Sequence, residues 1–222
     1  MGAHRIGLRD VTLTNSNTGV AIQRGAGDIT ADRLTISGGK DGFVANPDTT
    51  GVVVRDLTAE GVRNSAVRAL SPGGQIVGGR IDGGNTGIDV QAATTVSGIA
   101  ITKTDTGIRA RTPSEVRADK VDIAAVSVGI DVAEGTPFLL TDSRVHALQS
   151  IRGSYVLAGL NDLSLPPLSV LGAIGAPLVV LAVVLELAAV VRLRWRRPPR
   201  GPGGPGASVV DPVTQRIAVR TA

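Results

Sequence analysis

The segment Asn85-Thr86-Gly87-Ile88-Asp89-Val90 and its echo Asp105-Thr106-Gly107-Ile108-Arg109-Ala110 decide how this chain is read. Two polar residues precede a small one, and an aliphatic, an outward polar and a second small or aliphatic residue follow. The same unit occurs earlier as Asn17-Thr18-Gly19-Val20-Ala21-Ile22, Lys40-Asp41-Gly42-Phe43-Val44-Ala45 and Asn64-Ser65-Ala66-Val67-Arg68-Ala69. It occurs later as Ser127-Val128-Gly129-Ile130-Asp131-Val132. The small residue recurs at spacings of 23, 24, 21, 20 and 22. The polar pair and the small residue suit a corner that needs positive φ or close approach of the backbone.

A second pattern keeps step with the first. Val11-Thr12-Leu13, Leu34-Thr35-Ile36, Leu57-Thr58-Ala59, Ile81-Asp82-Gly83, Ile99-Ala100-Ile101, Val121-Asp122-Ile123 and Val145-His146-Ala147 alternate apolar with polar or small residues. A period of two is that of a strand with one buried face. A repeat near 22 residues holding two or three short strands is too short for a four-stranded propeller blade or a helix pair. The leucine-rich consensus Leu-x-x-Leu-x-Leu-x-x-Asn is absent. One coil of a parallel solenoid is what remains. Val20, Phe43, Val67, Ile88, Ile108 and Ile130 are expected to form one interior column.

These units resemble those of the right-handed parallel β-helix repeat proteins, whose superfamily includes the pectate lyases. The resemblance covers about 155 residues, or seven coils. It implies an all-β, right-handed parallel β-helix over residues 1–160. It implies no activity, because many functions share the architecture and no family-specific catalytic motif is present to carry over.

Two charge ladders are expected between coils. The outward position of the repeat reads Arg68, Asp89, Arg109, Asp131, and a second series reads Asp10, Arg33, Asp56, Arg80. Opposite charges at the strand spacing of about 4.8 Å pair and oppose slippage, because a slipped coil stacks like charges. Arg68, Asp89, Arg109 and Asp131 are also the candidate catalytic residues of a rival reading. There they line a polysaccharide groove in which Arg acts as base or clamp and Asp holds Ca²⁺, as the resemblance to β-helix polysaccharide lyases implies. The regular alternation favours the structural ladder, with no cofactor and no resident metal.

Composition narrows the rest. Hydrophobic residues make up 42% of the chain and aromatics 2%, so Val, Ile, Leu and Ala must build the core. There is no cysteine, which removes disulfides and thiolate metal sites. Residues 1–167 hold 16 Lys+Arg against 17 Asp+Glu, a net of −1. The tail after Val191 holds seven Arg against one Asp, a net of +6. The basic character belongs to the tail, so no nucleic-acid face is expected on the large domain. Arg outnumbers Lys 20 to 3, the habit of a high-GC genome, and a bacterial source is expected. His4 and His146 have no assignable partners for a metal or a triad. Gly38-Gly39-Lys40 lacks the phosphate-loop spacing. Phe43, Phe138 and Tyr155 are the only aromatics available in the large domain as sugar platforms.

The run Leu168–Val191 has 24 residues and one charge, Glu186. As a helix it extends roughly 36 Å, enough to cross a hydrocarbon core. Pro166 and Pro167 suit its start and Pro177 a kink. Glu186 is placed to pair with the arginines that follow. Arg192, Arg194, Trp195, Arg196 and Arg197 form a stop-transfer cluster at the membrane interface. This puts a lipid bilayer among the partners, the large domain outside and a disordered tail, 192–222, in the cytoplasm. Residues 161–167 are read as a linker, and Ile151–Leu165 as a degenerate last coil leading into it.

The N-terminus carries no apolar leader and opens directly in a coil without a cap. A shortened or mis-called start is therefore expected; the alternative is a tail-anchored chain with its large domain in the cytoplasm, against the charge rule. The function expected is that of a membrane-anchored cell-surface β-helix with a structural or interaction role, with polysaccharide or another protein as partner. The alternative is a polysaccharide lyase or epimerase with part of its site in missing N-terminal coils.

Overall fold

Side chains that recur at the coil period stack on one another, and the hydrogen-bond register shows it directly. Val20 pairs with Phe43, Phe43 with Val67, Val67 with Ile88, Ile88 with Ile108, Ile108 with Ile130 and Ile130 with Ile151. Phe43 through Ile130 are buried, and the end members Val20 and Ile151 are half-buried against the same core. The computed structural model describes residues 4–165. Within them the chain is an all-β parallel solenoid of the right-handed type with about seven coils.

Each coil has three faces. His4–Thr14, Gly27–Ser37 and Thr50–Glu60 run round the corner between the first and second faces. Thr18–Ile22, Asp41–Ala45 and Ser65–Ala69 make the third face of those coils. Gly74–Val90 and Thr94–Ala110 run round two corners. Later coils break at the corners into Val116–Asp119, Asp122–Ala124 and Val128–Val132, then Phe138–Thr141, Arg144–His146 and Gln149–Arg152. Val156–Ala158 and Asp162–Ser164 follow as a partial last coil. Stacking therefore continues into the segment expected as a linker, since Asp162–Ser164 pairs with Arg144–His146.

The strands stay continuous round the first corner because one residue per coil turns it in the left-handed conformation. Asp10, Arg33, Asp56, Gly78, Gly98, Lys120, Asp142 and Gly159 hold φ between 46° and 71°. A single αL residue redirects the chain while its neighbours keep their ladder bonds. Asp and Gly suit it; Arg and Lys pay strain there.

Two expectations are corrected. The fourth member of the second ladder is Gly78, not Arg80: Leu57 pairs with Gly79 and Thr58 with Arg80. The strand Ile81-Asp82-Gly83 is offset by the same two residues, since Ile81 pairs with Ala59 and Ile101. Val145 likewise pairs with Ile123 and not with Val121. A slip of two leaves every side chain on the same face, so the alternation alone cannot detect it.

The small residue of the repeat stands within a strand and its φ is not positive at Gly19, Gly42, Gly87, Gly107 or Gly129. Close approach explains it. A Cβ on Gly107 would lie 2.5 Å from the Gly129 carbonyl oxygen and 2.5 Å from Ile123 Cγ2. One neighbour is the next coil's backbone and the other is an interior side chain from the second face.

Leu168–Val191, the interface cluster Arg192, Arg194, Trp195, Arg196 and Arg197, and the tail to Ala222 lie outside the described residues. No helix among the described residues is long and apolar enough to cross a membrane.

Candidate functional site

The third face carries the predicted row. Arg68 pairs in register with Asp89, Asp89 with Arg109, and Arg109 with Asp131. The row extends one coil further than expected, because Asp131 pairs with Arg152. Outward positions two apart in adjacent coils also meet, and they redistribute the partners. Asp89 receives Arg68 Nε at 3.8 Å, Arg111 Nη2 at 3.3 Å and Gln91 Nε2 at 2.9 Å. Asp131 sits between Arg109 at 3.6 Å and Arg152 at 3.8 Å. Only 7% of the Asp89 side chain is exposed, against 26% for Asp131. Arg109 and Asp89 are register partners but make no ion pair. Arg111, which the sequence reading passed over, takes that place from two residues along.

A further ion-pair network occupies the second face. Asp82 accepts from Lys103 Nζ at 3.0 Å and Arg80 Nη2 at 3.2 Å. Burial pushes the Asp82 carboxyl up, but hydrogen bonds and charge from Lys103 and Arg80 outweigh it and hold the group below its ordinary value. On the first face Arg9 meets Asp32 at 3.3 Å, and Asp32 also meets Arg33 at 3.2 Å.

The other candidates fall into place simply. Phe43 and Phe138 are core residues and offer no platform; Tyr155 is exposed. Gly38 and Gly39, at φ 73° and 91°, belong to a corner between the second and third faces. His146 Nδ1 meets Ser164 Oγ at 2.5 Å on the last coil. Among the described residues no three His, Cys, Asp or Glu side chains cluster so as to hold one cation.

A surface cleft of about 590 Å³ lies beside the first corner of the last coils. Lys120, Asp122, Asp142, Arg144, Asn161 and Asp162 line it. Asp122, Arg144 and Asp162 pair in register across three coils, repeating the alternation seen on the third face. Their charges make no ion pair among the described residues, so they face solvent in an open polar groove. Sequence reading missed this row because the two-residue slip at Val145 set Arg144 out of alignment with Asp122.

No family model, curated protein or solved structure matches the chain. The fold itself therefore supplies the class: a parallel β-solenoid with paired charges laddered between its coils.

Proposed function

We propose that this chain is a membrane-anchored solenoid displayed at a bacterial cell surface, with a structural or interaction role and polysaccharide or another protein as its partner. One observation carries the reading: the four charges that the repeat offers as catalytic candidates, Arg68, Asp89, Arg109 and Asp131, are engaged in ion pairs along the ladder. Asp89 is enclosed by Arg68, Arg111 and Gln91, and Asp131 lies between Arg109 and Arg152. A general base or charge clamp must face its substrate. These groups instead hold neighbouring coils in register. Kinship with the pectate-lyase-like β-helices belongs to the same proposal and rests on coil length and three-faced parallel stacking. The anchor rests on the apolar run Leu168–Val191 and the arginines after it.

Two measurements test this. The chain should stay in the membrane fraction through alkaline carbonate, and external protease should digest the solenoid of intact cells. Release by carbonate removes the anchor. Calcium-dependent cleavage of a uronic-acid polymer, lost in Arg68→Ala and Arg109→Ala variants that still fold, replaces the proposal with the lyase reading.

A further inference from the structure

Exposed large apolar side chains gather at one end of the solenoid. Leu148, Tyr155, Val156, Leu157, Leu160 and Leu165 all belong to its last turns; among the described residues only Val77 lies elsewhere. Leu160 is 90% exposed and Leu165 70%. Leu157 stacks on Leu140, and Leu140 on Ala118, in a column that is buried until this point. Leu157 is therefore the open end of an interior column, while Val156, in register with the outward Leu139, lies on the flank of the first face. The strand Val156–Ala158 pairs with Leu139–Thr141 on one side and has no strand partner on the other among the described residues. An open end of this kind exposes both apolar side chains and backbone hydrogen-bonding groups, and solenoids generally cover it.

The chain itself indicates the cover. Leu165 is followed by Pro166 and Pro167, and the 24-residue apolar run begins at Leu168. Three residues reach at most about 10 Å. A bilayer that takes up Leu168–Val191 is thereby brought within about 10 Å of Leu165. We propose that the end face of Tyr155, Leu157, Leu160 and Leu165 rests in the interfacial layer of the lipid bilayer, which caps the solenoid. Leucine gains by burial at the boundary between headgroups and acyl chains, and tyrosine with its polar tip suits that depth. The coils then rise away from the membrane, about 4.8 Å each, and the ladder face stands to the side. This inference rests on the membrane anchor proposed above.

The chain has no cysteine, so single-cysteine variants report one site. Full-length Leu160→Cys and Arg24→Cys, the second exposed on the first coil, are labelled with an environment-sensitive fluorophore. They are reconstituted in phosphatidylcholine/phosphatidylglycerol vesicles, with and without headgroup-spin-labelled lipid. Quenching at position 160 is expected to exceed that at position 24 by about threefold or more, as interfacial depth requires. Equal quenching in a chain that floats with the vesicles overturns the end-face contact and leaves the anchor standing. Cross-linking of two copies through position 160 without quenching assigns the end face to a second chain and also overturns it. Failure to float removes anchor and inference together.

Discussion

Arg33 grips Asp10 of the preceding coil through one edge of its guanidinium, Nε to Oδ1 at 2.6 Å and Nη2 to Oδ2 at 2.9 Å, while both residues hold positive φ, 53° and 54°. The hydrogen bonds from Arg33 hold the Asp10 carboxyl below its ordinary value against a smaller upward push from burial. Backbone conformation and side-chain pairing thus meet at one corner. The left-handed turn carries the chain from the first face to the second, and the charges on it index one coil against the next.

That corner is strained where Arg or Lys occupies it. Lys120 occupies it at φ 50°. Lys120→Gly is expected to raise stability by about 0.5 kcal/mol and Lys120→Val to lower it by about 1 kcal/mol, since β-branched residues tolerate αL worst. Urea unfolding followed by circular dichroism measures both. Equal stability of the two variants would contradict a strained corner.

Gly107 and Gly61 separate steric crowding from backbone strain. At Gly107, where φ is not positive, an added Cβ meets the Gly129 carbonyl and Ile123. Gly107→Ala is expected to cost about 2–3 kcal/mol, because a paired strand and a packed interior cannot both give way. At Gly61, φ is 61° and open space surrounds the site. Gly61→Ala should cost about 1 kcal/mol through conformation alone. The reverse order would mean that the third face is looser than its register implies.

The ladder should be uneven along its length. Asp89→Ala, which removes a largely buried carboxylate from two arginines and Gln91, is expected to cost about 1–2 kcal/mol. Asp131→Ala, half-exposed, should cost less than about 1 kcal/mol. Exchanging the charges as Arg109→Asp with Asp131→Arg should recover part of what either change loses alone. No recovery in that double-mutant cycle removes the pairing from the account of register.

Acid should loosen the second face through Asp82. Its folded pKa is depressed, so its contribution is complete above the ordinary value of 3.8 and drains away as pH falls through the lower folded value. Lys103→Met removes one of the two cations and narrows that gap. The variant should begin to unfold at higher pH than the parent in an acid titration followed by circular dichroism. Superimposable titrations would show that Lys103 does not hold Asp82 in solution.

The interior columns were legible because each inward position is apolar in nearly every coil, at a period that the small residue marks. The third-face ladder was legible too, since Arg68, Asp89, Arg109 and Asp131 sit at one fixed offset from that residue. Arg111, Arg152 and the Asp122–Arg144–Asp162 row were not. Which arginine reaches Asp89 depends on side-chain length and direction across coils, and Arg111 reaches it from two residues beyond its register partner. Asp122 and Arg144 align only once the coil length between them is known.

By itself the sequence determined the coil period, the side chains that turn inward and the alternation of charge on the third face. These follow from local repetition, which any stacked arrangement must respect. Only the tertiary structure decided the register of the second face in the fourth and seventh coils, the left-handed corner and the partners of Asp89. A strand pattern of period two looks the same after a slip of two residues, whereas a corner residue, with its positive φ, occupies one place in each coil.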